Sequence, residues 1–180
     1  MTAPVELLPL RCVRCGTHVP AEVDEVAWVC NQCGQGLLLD RESGLAPLQV
    51  HFMAGVSPAE KGKPFWVASG SASLQREAYG TWGKKTGEAE RFWNEQRRFF
   101  VPAFTLPLDT LLELGARYLL QPPNLEDGSG VPFEPVILSP EDVPALAEFI
   151  VLAIEAERKD SLKAIQAAVR LDSPELWVLP

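Results

Sequence analysis

An α+β chain is predicted: a small cysteine-bearing module over residues 1–42, then a mixed domain over 43–180. That domain is read as short strands with two helices, at about 107–120 and 140–159. Three observations predict this. Four cysteines fall in two close pairs near the N-terminus. Short apolar runs bounded by glycine and proline follow, as half-buried strands require. Two longer stretches then repeat apolar residues at helical spacing.

The cysteines form two knuckles, Cys12-Val13-Arg14-Cys15-Gly16 and Cys30-Asn31-Gln32-Cys33-Gly34, with fourteen residues between Cys15 and Cys30. A two-residue gap lets a tight turn aim both sulfurs at one point. The glycine after each second cysteine permits a positive φ, so backbone N–H groups can turn toward the thiolates. The intervening segment reads as a hairpin, outward over Val19–Glu22 and back over Val26–Val29, with a third strand at Gly36–Asp40. Cys12, Cys15, Cys30 and Cys33 are therefore expected to bind one structural Zn²⁺. Four cysteine ligands fill a tetrahedral shell and leave no open position for water or substrate. Iron held by the same knuckles is one alternative. Two disulfides are the other, disfavoured because MTAPVELLPLRC carries no secretion-signal pattern.

The paired CxxCG knuckles resemble the zinc-ribbon fold group, and the resemblance covers roughly residues 8–42. It implies a β-hairpin scaffold around the metal and says little about activity. Joined to the strands containing Pro64-Phe65-Trp66 and Pro102-Ala103-Phe104, it also resembles uncharacterised bacterial zinc-ribbon proteins. A ribbon this small cannot bury enough apolar surface to fold alone, so metal ligation is expected to supply its folding free energy. Leu7, Leu8, Leu10 and Leu37–Leu39 exceed what it can hide, and some are expected to dock on the following domain.

In that domain, strands are read at Leu48–Met53, Phe65–Gly70, Phe99–Phe104 and Phe133–Leu138. Segment 71–98, broken by Gly80, Gly83 and Gly87, is read as a long hairpin or mobile loop. Leu108, Leu111, Leu112, Leu114, Tyr118 and Leu119 mark the first helix, ended by Pro122-Pro123. Ser139-Pro140-Glu141-Asp142 starts the second, with a capping hydroxyl, a proline at the first helical position and carboxylates at the positive dipole end. Its buried face is read as Leu146, Phe149, Ile150, Ala153 and Ile154, with Glu148, Glu155, Glu157 and Arg158 in water. Residues 162–171 suit helix or strand; with Leu176–Leu179 they are read as a closing hairpin.

Composition narrows the function. At 47% hydrophobic and 22% charged, the chain is globular rather than disordered. No run is long and apolar enough for a membrane span, and a cytoplasmic location is expected. The net charge is -8, and residues 125–180 hold eleven acidic and four basic side chains. Phosphate neutralisation dominates nucleic-acid affinity, so this balance disfavours a general DNA or RNA binder. The stretch YGTWGKKTG lacks P-loop spacing and a preceding apolar strand. Neither a nucleophile elbow nor an HExxH element is found, and enzymatic activity is not expected. His18 is read as a solvated hairpin residue and His51 as a partly buried strand residue.

Residues 76–98 are the basic stretch, with six basic and four acidic side chains among aromatics. Exposed tryptophan and arginine are enriched in interface hot spots, so Trp82, Trp93, Arg97 and Arg98 are candidate anchors for a protein partner. The leading expectation is a non-enzymatic adaptor or assembly subunit. The alternative is a nucleic-acid-associated factor that uses the ribbon and the 76–98 segment to stack single strands.

Overall fold

A computed structural model describes residues 9–40, 42–78, 83–158 and 162–180. The ribbon's sheet is antiparallel, in the order β1 (Ala27–Val29), β2 (Gly36–Asp40), β3 (Gly44–Leu48). Its core is Val19, Trp28, Leu37 and Leu45 packed beside Cys12 and Cys30. The sheet extends past the expected boundary at residue 42: β3 pairs with β2 along its whole length, from Asp40–Gly44 to Gly36–Leu48. Residues 19–22 form no strand; that side of the hairpin is reduced to one bridge, Arg11 to His18.

The second sheet is organised by one long strand, β5 (Lys63–Ala78). β6 (Arg97–Pro102) flanks the first part of β5 on one edge. The other edge is lined by β8 (Glu175–Leu179) against residues 63–67 and by β7 (Leu162–Leu171) against residues 70–78. β7 and β8 thus follow one another along β5 rather than pairing as the expected closing hairpin. The Asp172 N–H bonds to Ser69 O at 2.8 Å and carries the run across the break. β4 (Val50–Phe52) adds parallel to β8.

The described parts of segment 71–98 are neither hairpin nor loop; residues 79–82 lie outside the described residues. β5 continues to Ala78, and a helix, α1 (Gly83–Asn94), follows. The other helices fall where periodicity puts them, at α2 (Leu108–Leu120) and α3 (Val143–Ala156). A 3-10 turn (Pro140–Asp142) leads into α3, and the Ser139 hydroxyl accepts from the Glu141 N–H at 3.3 Å.

Both faces of the first half of β5 are covered, whereas Ser73 and Gln75 in its second half are exposed. Trp66, Ala72 and Leu74 join Phe99, Val101, Trp93 and the α3 residues Val143, Ala147, Ile150, Val151 and Ile154 in the main core. Phe65, Val67, Phe100, Trp177 and Leu179 form a second core with Leu114 and Tyr118 of α2. The buried stripe of α3 is therefore rotated from the expected one. Phe149 is 52% exposed, whereas Glu155 is completely buried. A carboxylate is tolerated there because Oε1 accepts from the Trp93 indole N–H at 2.7 Å and from Arg158 Nε at 2.8 Å.

The expected strand at 133–138 is an extended connector, not a sheet member. Pro135, with Pro132 just before the segment, removes donors, and it makes single bridges instead: Phe133 with Gly62 and Val136 with Ala27. Ile137 N–H bonds to Ala103 O at 2.7 Å, and the Trp66 indole N–H bonds to Leu138 O at 2.7 Å. The ribbon is pinned to the domain here, by Val26 N–H on Val136 O at 2.8 Å. Leu38 packs against the main core as the surplus of ribbon leucines predicts, while Leu37 stays in the ribbon core and Leu39 is exposed. Leu7 and Leu8 lie outside the described residues.

Candidate metal centre

The two knuckles fold alike. In the first, Gly16 N–H bonds to Cys12 O and Cys12 N–H to Thr17 O, both at 2.8 Å. In the second, Gly34 N–H bonds to Cys30 O and Cys30 N–H to Gln35 O, again at 2.8 Å. Gly16 and Gly34 both adopt φ of 72°, the conformation a Cβ disfavours, which is why a glycine follows each second cysteine. β1 then carries Cys30 out of the sheet and opposite the first knuckle.

This places all four sulfurs within 4.8 Å of one another. Cys12 to Cys33 and Cys15 to Cys30 are each 3.6 Å apart, and all four thiols are free. A regular tetrahedron of metal–sulfur bonds of about 2.3 Å has edges of about 3.8 Å, so these separations fit a four-coordinate ion at the centre. Cys12 and Cys30 are buried, Cys33 is half-buried and Cys15 faces water. Among the described residues, these cysteines are the one group of three or more His, Cys, Asp or Glu side chains placed to hold a metal.

The surroundings bear out the expected role of the knuckle backbone. The Thr17 hydroxyl, 3.3 Å from Cys15 Sγ, and the Thr17 N–H pull the Cys15 thiol down to about 6. Burial works against ionisation of Cys12, but the N–H groups of Cys15 and Arg14 outweigh it and its pKa falls. Cys33 behaves oppositely. The Gln35 N–H favours its thiolate, yet burial and the neighbouring sulfurs of Cys15, Cys12 and Cys30 push it up to about 12. Four adjacent thiolates repel, so they are all ionised together only around a cation. Thr17 was not singled out from sequence; the signal available was its place directly after the first knuckle glycine, matched by Gln35 after the second.

A pH dependence follows. Cys33 holds its proton at neutral pH and must release it to ligate, so a metal competes with at least that proton at every pH below about 12. The apparent metal affinity is expected to rise by about tenfold or more per pH unit between pH 6 and 8, because each proton displaced contributes one decade. Chelator-competition titrations at three pH values check the slope, and a flat profile contradicts it.

No known protein family, curated protein or solved structure matches the chain. The reading of this centre therefore stands on its geometry.

Among the described residues, the candidate partner anchors Trp93, Arg97 and Arg98 do not form one surface. Trp93 is fully buried between α1 and α3 and is unavailable as an anchor; the helix formed by residues 83–94 turns it inward together with Ala89. Arg97 is held in place: its Nε donates to Phe92 O at 2.8 Å, its guanidinium lies 3.3 Å over the Phe92 ring, and it pairs with Glu95. Arg98 is exposed on the opposite side of β6, near Asp172 and Glu175. Trp82 lies outside the described residues. His51 stacks on Trp177 with ring centroids 4.6 Å apart and is half-buried in β4, while His18 is exposed. No helix of the described residues is long and apolar enough to cross a membrane.

Proposed function

We propose that the chain is a non-enzymatic adaptor or assembly subunit whose ribbon is held by one structural Zn²⁺ and whose contacts are with another protein. The observation that carries it is the four-sulfur cluster. An all-cysteine tetrahedron suits zinc and leaves no coordination position for chemistry. What the ion fixes is a shape: the knuckles hold β1 and β2, and these are tied to the larger domain at Ala27 and Val136. A platform of this kind has its use in presenting a surface. The nucleic-acid reading loses a stacking residue with the burial of Trp93, and the charge of -8 weighs against it.

The test is purification of the tagged chain from its native host, with metal analysis and identification of co-purifying molecules. One zinc per chain and a stoichiometric protein partner, retained without nucleic acid, are expected. Recovery of nucleic acid alone, with a salt-dependent shift of single-stranded DNA or RNA, would overturn the reading.

A further inference from the structure

A cleft of about 610 Å³ lies between the ribbon and the connector at 130–135. One wall is β1. Trp28 pairs with Leu37, and the flanking ladder bonds run from Leu39 N–H to Val26 O and from Cys30 N–H to Gln35 O. Antiparallel alternation then turns the backbone N–H and C=O of Ala27 and Val29 away from β2. Ala27 meets Val136, but Val29 faces the cleft.

The opposite wall is Phe133. Its bridge to Gly62 is made by Pro132 O and Glu134 N–H, so Phe133 turns its own N–H and C=O the other way. Among the described residues neither Val29 nor Phe133 has a partner for these backbone groups. Extending the Ala27–Val136 register would set Val29 opposite Glu134, yet no bridge forms there. The two walls join at one point and then part.

The lining is mixed. Val29, Val131 and the tilted ring pair Phe52–Phe133, 6.0 Å between centroids, contribute apolar surface, and Thr17, His18 and Asn31 are polar. Glu25 and Glu134 supply charge, and no lysine or arginine lines the cleft among the described residues. Glu25 is fixed by the Trp28 indole N–H at 2.8 Å and the Glu22 N–H at 2.9 Å. Glu134 makes no ion pair among the described residues.

We infer that this cleft receives an extended peptide segment of a protein partner, inserted as a strand between Val29 and Phe133, with apolar side chains on the Phe52–Phe133 floor and a lysine or arginine directed at Glu134. Open backbone groups on both walls give strand addition, and the apolar lining and the Glu134 carboxylate give selectivity. The inference rests on the adaptor reading and names its surface. It also gives the metal a purpose, since Cys30 and Gly34 belong to the ribbon wall.

The probes are two labelled synthetic peptides, one alternating valine and lysine and one alternating valine and glutamate, followed by fluorescence anisotropy on the full zinc-loaded chain. The lysine peptide is expected to bind about tenfold or more tightly than the glutamate peptide, and Glu134→Lys to remove most of that preference. Glu134→Gln, which keeps the shape, is expected to lie between the two. Bound peptide should slow hydrogen exchange at the amides of Val29 and Phe133, which attraction of a cation to an acidic surface elsewhere would not do. Equal binding of both peptides, or unchanged exchange at those two amides, overturns the cleft assignment. A co-purifying protein retained by Glu134→Lys would also overturn it while leaving the adaptor reading standing; no protein partner even for the unaltered chain would remove both.

Discussion

Replacing Trp93 with alanine is expected to lower the stability of the larger domain by about 3–5 kcal/mol, the cost of emptying a fully buried large aromatic site. The side chain has no exposed surface and belongs to the main core with Ala89, Ile154 and Leu74. Its indole N–H also donates to the buried Glu155, so removing it takes away one of the groups that hold a carboxylate out of water. Trp93→Phe separates the two effects. It keeps most of the volume and removes the donor, and about 1–3 kcal/mol is expected from the hydrogen bond to a buried group. Denaturant unfolding at unchanged m reads both values. A change for Trp93→Ala within about 0.5 kcal/mol would mean an exposed side chain and would restore it as a partner anchor.

Removing the metal is expected to unfold the ribbon and leave the larger domain folded. The ribbon core is a few side chains, two of them ligands, and its knuckles converge only if the sulfurs do. The N–H groups of Cys12 and Cys30, bonded to Thr17 O and Gln35 O, should lose their protection from hydrogen exchange on chelation. Amides of β5 and β6 around Phe99 to Val101 should keep theirs, since their ladder and core need no metal. Cys12→Ser, at a buried ligand, should mimic chelation. Protection at Cys12 and Cys30 that survives both treatments would show a ribbon held by packing alone.

The parts of this fold that were legible in the sequence are those set by local chemistry. The CxxCG spacing placed all four sulfurs, and the φ of 72° at Gly16 and Gly34 is what a glycine at that place provides. The Leu108 to Leu119 spacing and the Ser139-Pro140 start located two helices. What could not be read depends on distant partners. α1 contains Gly83 and Gly87 and many charges, so its helix rests on Ala89 and Trp93, one turn apart, meeting the sheet and α3. The second half of β5, with Ser71, Ser73 and Gln75, lacks an apolar run and is a strand because β7 lies beside it.

The burial of Glu155 is a further case. Helical spacing puts Phe149 and Glu155 about 120° apart, on opposite edges of the stripe, and a rotation of roughly a quarter turn exchanges them. An apolar preference chooses Phe149; the actual choice depends on Trp93 and Arg158, which satisfy the carboxylate. The cleft between β1 and residues 130–135 joins segments far apart in the chain, and no local pattern in either marks it.

The central claim is that Cys12, Cys15, Cys30 and Cys33 together hold one zinc ion with no ligand from solvent. X-ray absorption at the zinc edge of the purified protein tests it most directly. Four sulfur neighbours at about 2.3 Å, with no nitrogen or oxygen in the shell, is the expected result. A shell with fewer sulfurs and a water oxygen, or protein free of zinc with its cysteines oxidised, would contradict it.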